Sequence, residues 1–345
     1  QRYVEAAKYL EGFYPGEVSD TKVLAQLAYV NMMAGQLSQA ENSYLKLNEQ
    51  QPGSLPVLFN LALIQVKRGN DEKARGYYKE IINIDSTSFK AYKQLAGLTL
   101  EKPAEKISYL QKANKLNPID ADVVVDLCEV YFKMNQFATA NSLLIPALKA
   151  DTANIQLLKM KMPISLASKK YNEAIQTGLK LLSYGDSSTF VMSNLAKSYF
   201  LRLDYKNALQ YFLKVKDKAE DNETLLYNIA LCYRGLKDYK SASTYLNRTI
   251  TEGISPKTAS YYGMLGDSYE NINKNEEAIA AYKRGLLFEN NGSLYYNIAL
   301  VYETRLNDKK NAIANYNLYL KNFKEMSANP KLAAFIRNKI EDLKR

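Results

Sequence analysis

The side chains that most often do chemistry are scarce in this sequence. It has no histidine, which removes the usual general base, the commonest metal ligand, and the Ser-His and Cys-His nucleophile pairs together. Cys128 stands at a small packing position without an obvious activator and reads as core rather than nucleophile, and Cys232 lies so far from it in a repeat array that no disulfide between them is expected. The paired carboxylates Asp120 and Asp122, or Glu276 and Glu277, fall where turns and helix starts are expected and read as solvated charges rather than an acid/base pair. No Gly-rich phosphate loop, zinc spacing or EF-hand loop is present. The expectation is a non-enzyme with no catalytic residue, no metal and no cofactor. Recognition chemistry remains. Asn60, Asn194, Asn228 and Asn297 recur at one phase of the pattern described below, and an amide both donates and accepts hydrogen bonds. The 28 tyrosines supply apolar area with a polar tip, as interface anchors do.

The elements that must position these residues show themselves through alanine. Ala6, Ala40, Ala74, Ala140, Ala174, Ala208, Ala242, Ala278 and Ala312 follow one another at 34-residue steps, apart from an interval of 66 after Ala74, with Lys106 in the alanine's place, and one of 36 after Ala242. Changes of two residues belong in turns. About sixteen residues before these positions, seventeen before Ala312 and fourteen before Lys106, stands an anchor, followed three and four residues later by a large apolar and a small residue. The trios are Leu24, Leu27, Ala28; Leu58, Leu61, Ala62; Tyr92, Leu95, Ala96; Val124, Leu127, Cys128; Met192, Leu195, Ala196; Leu226, Ile229, Ala230; Tyr262, Leu265, Gly266; and Tyr295, Ile298, Ala299. That spacing is one face of a helix. A second helix follows, with a large residue four positions after the alanine, as at Tyr44, Tyr78, Leu110, Leu144, Phe212, Leu246, Tyr282 and Tyr316. Each unit is thus a helical hairpin whose small residues let two backbones approach, while large ones fill the gap to the next hairpin. Neither helix is stable alone, so stacking supplies the core.

Composition agrees with a soluble repeat protein. Hydrophobic residues make up 47% and charged residues 24%, and no stretch approaches the roughly 18 uninterrupted apolar residues of a membrane helix. The formal charge of +10 is diffuse. Residues 1–60 carry 4 basic against 6 acidic side chains, and no run of five or six like charges occurs, which favours acidic partners without marking a nucleic-acid stripe.

At these residues the pattern resembles the tetratricopeptide repeat, with the family's tryptophan anchor replaced by Leu, Tyr, Val or Met and its terminal proline kept only at Pro52 and Pro118. The resemblance covers nearly the whole chain. It implies an all-α, right-handed superhelical solenoid of antiparallel helix pairs, about eight and a half repeats in one continuous domain. Residues 1–20 would be the second helix of a truncated repeat, residues 21–322 nine repeats starting near 21, 55, 89, 121, 155, 189, 223, 259 and 292, and residues 323–345 a capping helix. Asn329 and Pro330 suit that last helix's start, and Leu332, Phe335, Ile336, Ile340 and Leu343 would line its inner face. Pro163, inside the first helix of the weakest repeat, predicts a kink or a shortened helix, since a mid-helix proline costs roughly 3 kcal/mol.

In the resembled family the first helices line a concave groove that holds extended or helical peptides. Carried over, the groove takes Tyr29, Met32, Phe59, Asn60 and Leu63 near its start, Lys93, Asn194 and Lys197 in the middle, and Tyr227, Asn228, Arg234, Asp267, Tyr296 and Asn297 towards its end. The family uses asparagine at this phase to bond a bound peptide's backbone; the alternative is a polar contact within the repeat. The Lys-Asn clamp for a C-terminal carboxylate is absent, since Lys93 is followed one turn later by Gly97 and Lys159 by Pro163. The function so implied is a non-catalytic protein-interaction scaffold or adaptor holding a protein or peptide partner, with no small-molecule substrate. The competing reading is nucleic-acid or other polyanion binding through the basic, tyrosine-rich surface. The resemblance extends to bacterial exported proteins, and Gln1 suits a mature periplasmic start after signal-peptide removal, while a trimmed cytoplasmic chain explains the same start equally well.

Overall fold

A computed structural model describes all residues except 1, 15, 17, 100–102, 221, 254, 291 and 324–328. Gln1, and with it the expectation of a mature start, lies outside the described residues. Those residues form twenty α-helices and no strand. They divide into two compact units, Gln1–Ile164 and Ser165–Arg345. The first unit runs through α1 (Arg2–Phe13), α2 (Thr21–Met33), α3 (Leu37–Gln50), α4 (Leu55–Lys67), α5 (Asp71–Ile84), α6 (Phe89–Leu98), α7 (Pro103–Leu116), α8 (Ala121–Lys133), α9 (Phe137–Ala150) and α10 (Ile155–Ala167) as far as Ile164. The second holds α11 (Tyr171–Ser183), α12 (Thr189–Leu201), α13 (Tyr205–Lys216), α14 (Glu223–Gly235), α15 (Tyr239–Glu252), α16 (Thr258–Asn271), α17 (Asn275–Gly285), α18 (Gly292–Thr304), α19 (Lys309–Asn322) and α20 (Pro330–Lys344). Within each unit, helices consecutive in sequence pack on one another.

The phased alanines sit where the two helices of a hairpin meet. Ala40, Ala74, Ala140, Ala174, Ala208, Ala242, Ala278 and Ala312 are completely buried. So are the small residues Ala28, Ala62, Cys128, Ala196, Ala230 and Ala299 on the first helices. In one hairpin the approach is so close that Cys128 Sγ donates to the carbonyl of Ala140 at 3.2 Å. The large residues four positions on are 4% exposed or less. They join each pair to the next: Ala28 on α2 and Tyr44 on α3 share a core with Leu61 and Ile64 on α4, and Ala196 and Phe212 share one with Ile229 on α14. At the end of the second unit α20 takes the place of a next first helix, packing Ala333, Ile336 and Ile340 onto Ala312 and Tyr316.

Turns between paired helices repeat one geometry. Gly35, Gly69, Asn135, Lys169, Leu203, Lys237, Asn273 and Asn307 all have φ between 51° and 80°, the left-handed conformation that ends a helix. The next residue's N–H returns to the helix it has just left, as in Asp204 to Tyr199 O at 3.0 Å and Asp238 to Tyr233 O at 2.9 Å. The same residue then starts the second helix. Asp238 accepts from Ser241 N at 3.0 Å and Asp308 from Asn311 N at 3.0 Å, which satisfies amide groups otherwise left without partners at a helix start.

Three details differ from the sequence reading. The buried alanine of α1 is Ala7, completely enclosed, whereas Ala6 is half-buried; α1 meets α2 one residue out of the 34-residue phase. In the repeat with Lys106, α6 spans only 10 residues and α7 begins at Pro103, so the deletion is taken up at the end of the first helix. Thr99 closes that end by donating to Leu95 O at 2.6 Å. At Pro163, α10 is not shortened: it runs 13 residues, the length of α8 and α12. Leu157, Leu158, Met162 and Ile164 are buried around the proline, and this packing offsets the missing N–H.

Two predictions follow from the packing and the caps. A Cβ on Gly266 would stand 2.5 Å from the buried ring of Tyr282. Gly266→Ala, although a better helix former, is therefore expected to lower stability by about 1–3 kcal/mol in thermal unfolding; an unchanged or raised midpoint refutes the packing account. The backbone and side-chain bonds from Ser241 hold the Asp238 carboxyl below its ordinary value of 3.8. A depressed folded pKa contributes stability above the unfolded value and loses it as pH falls through the folded one. Asp238→Asn keeps the cap but removes this titration, so the wild-type advantage should be present at pH 6 and be lost as pH falls below the ordinary carboxyl value of 3.8 towards the lowered one; a pH-independent difference contradicts it.

Candidate functional site

The polar face of the first helices is built by positions one, two and five residues after the anchors. In the first unit Asn60 is half-buried and makes no hydrogen bond among the described residues. Beside it Phe59 meets the Tyr78 ring edge-on at 6.0 Å, and Leu63 is 38% exposed. Tyr29 is exposed and faces Tyr3 in an edge-to-face pair at 6.2 Å; a hydrogen bond with Tyr3 raises its pKa. Met32 lies elsewhere. It is 6% exposed within the core of α2, α3 and α4, clustered with Tyr44, Leu61 and Ile64, so it contributes packing and not surface contact. Lys93 is held by Asp120 at 2.9 Å and Asp122 at 2.7 Å. Burial opposes its charge, but the bonds to Asp122 and Asp120 prevail and raise its pKa. It is a charged but engaged cation.

In the second unit Asn228 and Asn297 are half-buried and, like Asn60, carry no hydrogen bond among the described residues. Asn194 differs: its amide donates to Phe190 O of its own helix at 2.9 Å, the within-repeat contact that competes with recognition. Lys197 is exposed nearby. Tyr227 is half-buried, its ring 4.8 Å from Tyr261 and its hydroxyl 3.4 Å from Met264 Sδ, and burial raises its pKa. Tyr296 is half-buried between Tyr316 and Tyr319, at 5.8 and 5.2 Å. Arg234 spans two repeats: it donates to Met264 O at 2.8 Å and Ser268 Oγ at 3.0 Å and is ion-paired with Asp267. Both members of that pair are thereby committed to holding α14 against α16. Sequence reasoning missed these ties, and a signal for them existed. Lys93 and Asp120, and Arg234 and Asp267, are opposite charges separated by 27 and 33 residues, close to one repeat, and each pair joins one first helix to the start or body of the next.

No group of three or more metal-ligating side chains could hold an ion among the described residues. Cys128 and Cys232 are free and buried, and burial pushes both thiols up to about 12. No helix of the described residues is long and apolar enough to cross a membrane.

Paired helices stacked through phased small residues, with a polar and aromatic first-helix face, define a helical-hairpin repeat protein. The tetratricopeptide-repeat family matches residues 57–88, 223–251, 259–291 and 292–323, so these segments are tetratricopeptide repeats, and repeats of this kind support a role as a scaffold for protein–protein interaction. No curated protein matches it. Among solved structures it is similar to YrrB, described as a tetratricopeptide-repeat protein with an unusual peptide-binding site, at 16% identity over 52% of this chain and 91% of that one, with a TM-score of 0.45. It is likewise similar to pilF of Pseudomonas aeruginosa, at 21% identity over 56% of this chain and 89% of that one, TM-score 0.44. A tetratricopeptide repeat protein of Parabacteroides merdae matches at 17% identity over 81% and 98%, TM-score 0.33.

The cysteine environment gives a direct check. A thiol reagent at pH 8 should label neither cysteine of the folded protein and both after denaturation; prompt labelling of Cys128 or Cys232 in the native state would contradict their burial.

Proposed function

We propose that this scaffold holds a segment of a partner polypeptide along the first-helix face of its second unit, with the partner's backbone paired to Asn228 and Asn297. The observation that carries the reading is the contrast among the asparagines. Asn194 bonds its own helix, whereas Asn228 and Asn297 are half-buried amides with no hydrogen bond among the described residues. A half-buried amide without a partner costs free energy unless a ligand or water satisfies it. A peptide bond, which offers one donor and one acceptor, suits that amide irrespective of the ligand's side chains. Tyr227 and Tyr296, one residue before the two asparagines and already fixed by neighbouring rings, supply rigid aromatic surface at little further cost in side-chain entropy. Asn60, with Phe59 and Leu63, offers a more apolar counterpart in the first unit.

The polyanion reading has less support. It needs rings free to stack on bases and unpaired cations in a stripe, whereas Tyr199 stacks on Tyr211 and Tyr233 on Tyr245, and Lys93 and Arg234 are ion-paired.

Asn228→Ala combined with Asn297→Ala should weaken capture of the partner roughly ten- to thirty-fold, about 1 kcal/mol for each bond lost, with helix content and melting temperature unchanged. Asn194→Ala should leave capture intact. Equal capture by the double variant and the wild type, measured by quantitative cross-linking, would move the site elsewhere.

A further inference from the structure

Three successive repeats of the second unit carry the same motif, and the third lacks its middle piece. In the first, Tyr199 stacks on Tyr211 with centroids 5.7 Å apart and rings within 5° of parallel, and Lys214 lies over Tyr211 at 5.2 Å. In the second, Tyr233 stacks on Tyr245 at 5.5 Å, and Arg248 lies over Tyr245 at 5.4 Å. Each is a sandwich of a first-helix ring, a second-helix ring and a cation three residues further on. The third repeat keeps the outer layers as Tyr269 and Arg284, but the middle position is Ala281. A cleft of about 200 Å³ opens there, walled by Tyr262, Leu265, Tyr269, Ala280 and Ala281, with Asn247, Glu277 and Arg284 at its rim.

The surroundings hold this cleft ready. Asn247 donates to the Tyr269 hydroxyl at 3.0 Å and fixes that ring. Tyr262 is stacked on Phe288 at 5.7 Å. Glu277 is paired with Lys274 at 3.5 Å; Lys274 flanks Tyr269 at 6.0 Å without forming part of the wall. Arg284 is exposed and has no ion pair or hydrogen bond among the described residues.

We propose that the cleft between Tyr269 and Arg284 is a receptor for an aromatic side chain, phenol or phenyl, presented by a partner polypeptide, which completes in trans the sandwich that Tyr211 and Tyr245 complete in cis. The two preceding repeats show what fits: a planar ring stacked on a tyrosine and covered by a cation, an arrangement favoured by offset stacking and by the attraction of a cation to a ring face. The residues differ from those assigned to backbone capture, so either reading can fail without the other.

The probe is p-cresol, the tyrosine side chain as a free molecule, followed by saturation-transfer NMR on the whole chain, with the pentapeptide Gly-Gly-Tyr-Gly-Gly as a second ligand. Saturation transfer to both is expected. Ala281→Tyr, which supplies the ring internally, should abolish binding of both and raise the melting temperature. Arg284→Ala should weaken p-cresol binding about two- to five-fold. Tyr269→Leu, with circular dichroism confirming the fold, should weaken it further and stands in should Ala281→Tyr not fold. Undiminished binding in Ala281→Tyr, or in Tyr269→Leu, would overturn the assignment. Binding of p-cresol without the pentapeptide would overturn the polypeptide occupant.

Discussion

Everything in this protein depends on how closely two helix backbones approach within a hairpin. Alanine on the second helix and alanine, cysteine or glycine on the first leave no side-chain bulk between them, and nearly every residue at these positions is completely buried. The contact of Cys128 with the Ala140 carbonyl at 3.2 Å measures that approach directly. Small residues contribute little hydrophobic burial of their own. Their role is geometric: they bring the larger neighbours at Tyr44, Phe212, Leu246 and Tyr316 to the depth where these reach the next hairpin. The energetics therefore lie between repeats, at about 1.5–3 kcal/mol for each large apolar side chain enclosed, while specificity of packing lies within them.

That division leaves part of one face of the first helices outside the packed core, and recognition can occupy it without loss of core. How far each residue is free depends on its neighbours. Arg234, Asp267 and Lys93 are drawn into ties between repeats, and Met32 is drawn into the core. Asn228 and Asn297 keep unpaired amides beside tyrosines already fixed by other rings. The loss of one ring at Ala281 similarly converts an internal stack into an open cleft. In a repeated architecture, a departure from the repeat is where a structural position becomes available for something else.

The hairpins were legible in the sequence because one mechanical requirement, a small residue at the point of closest approach, recurs with a fixed period. The large partners were legible for the same reason. The left-handed turn residue recurs with the same period, yet Gly35, Asn135, Lys169, Leu203 and Asn307 share only a backbone angle, and their side chains do not announce it. The N-terminal helix misled by one residue, since Ala6 and Ala7 are adjacent and only packing against α2 selects the second. At Pro163 the expected shortening does not occur: α10 keeps its 13 residues, and the burial of Leu157, Met162 and Ile164 around the proline is a tertiary property. At the candidate site, residue types and phase singled out one helix face as an expectation, while the state of each polar group depends on neighbouring helices and needed three dimensions to read.

Placing a benzophenone amino acid at Asn228 and, separately, at Asn297, with exposed Lys206 and Asn317 on second helices as controls, tests the central claim most directly. The account predicts that light-induced adducts from Asn228 and Asn297 map by mass spectrometry to one continuous segment of a single partner, and that the control positions give none. Adducts from Lys206 or Asn317 with none from Asn228 and Asn297 would contradict it.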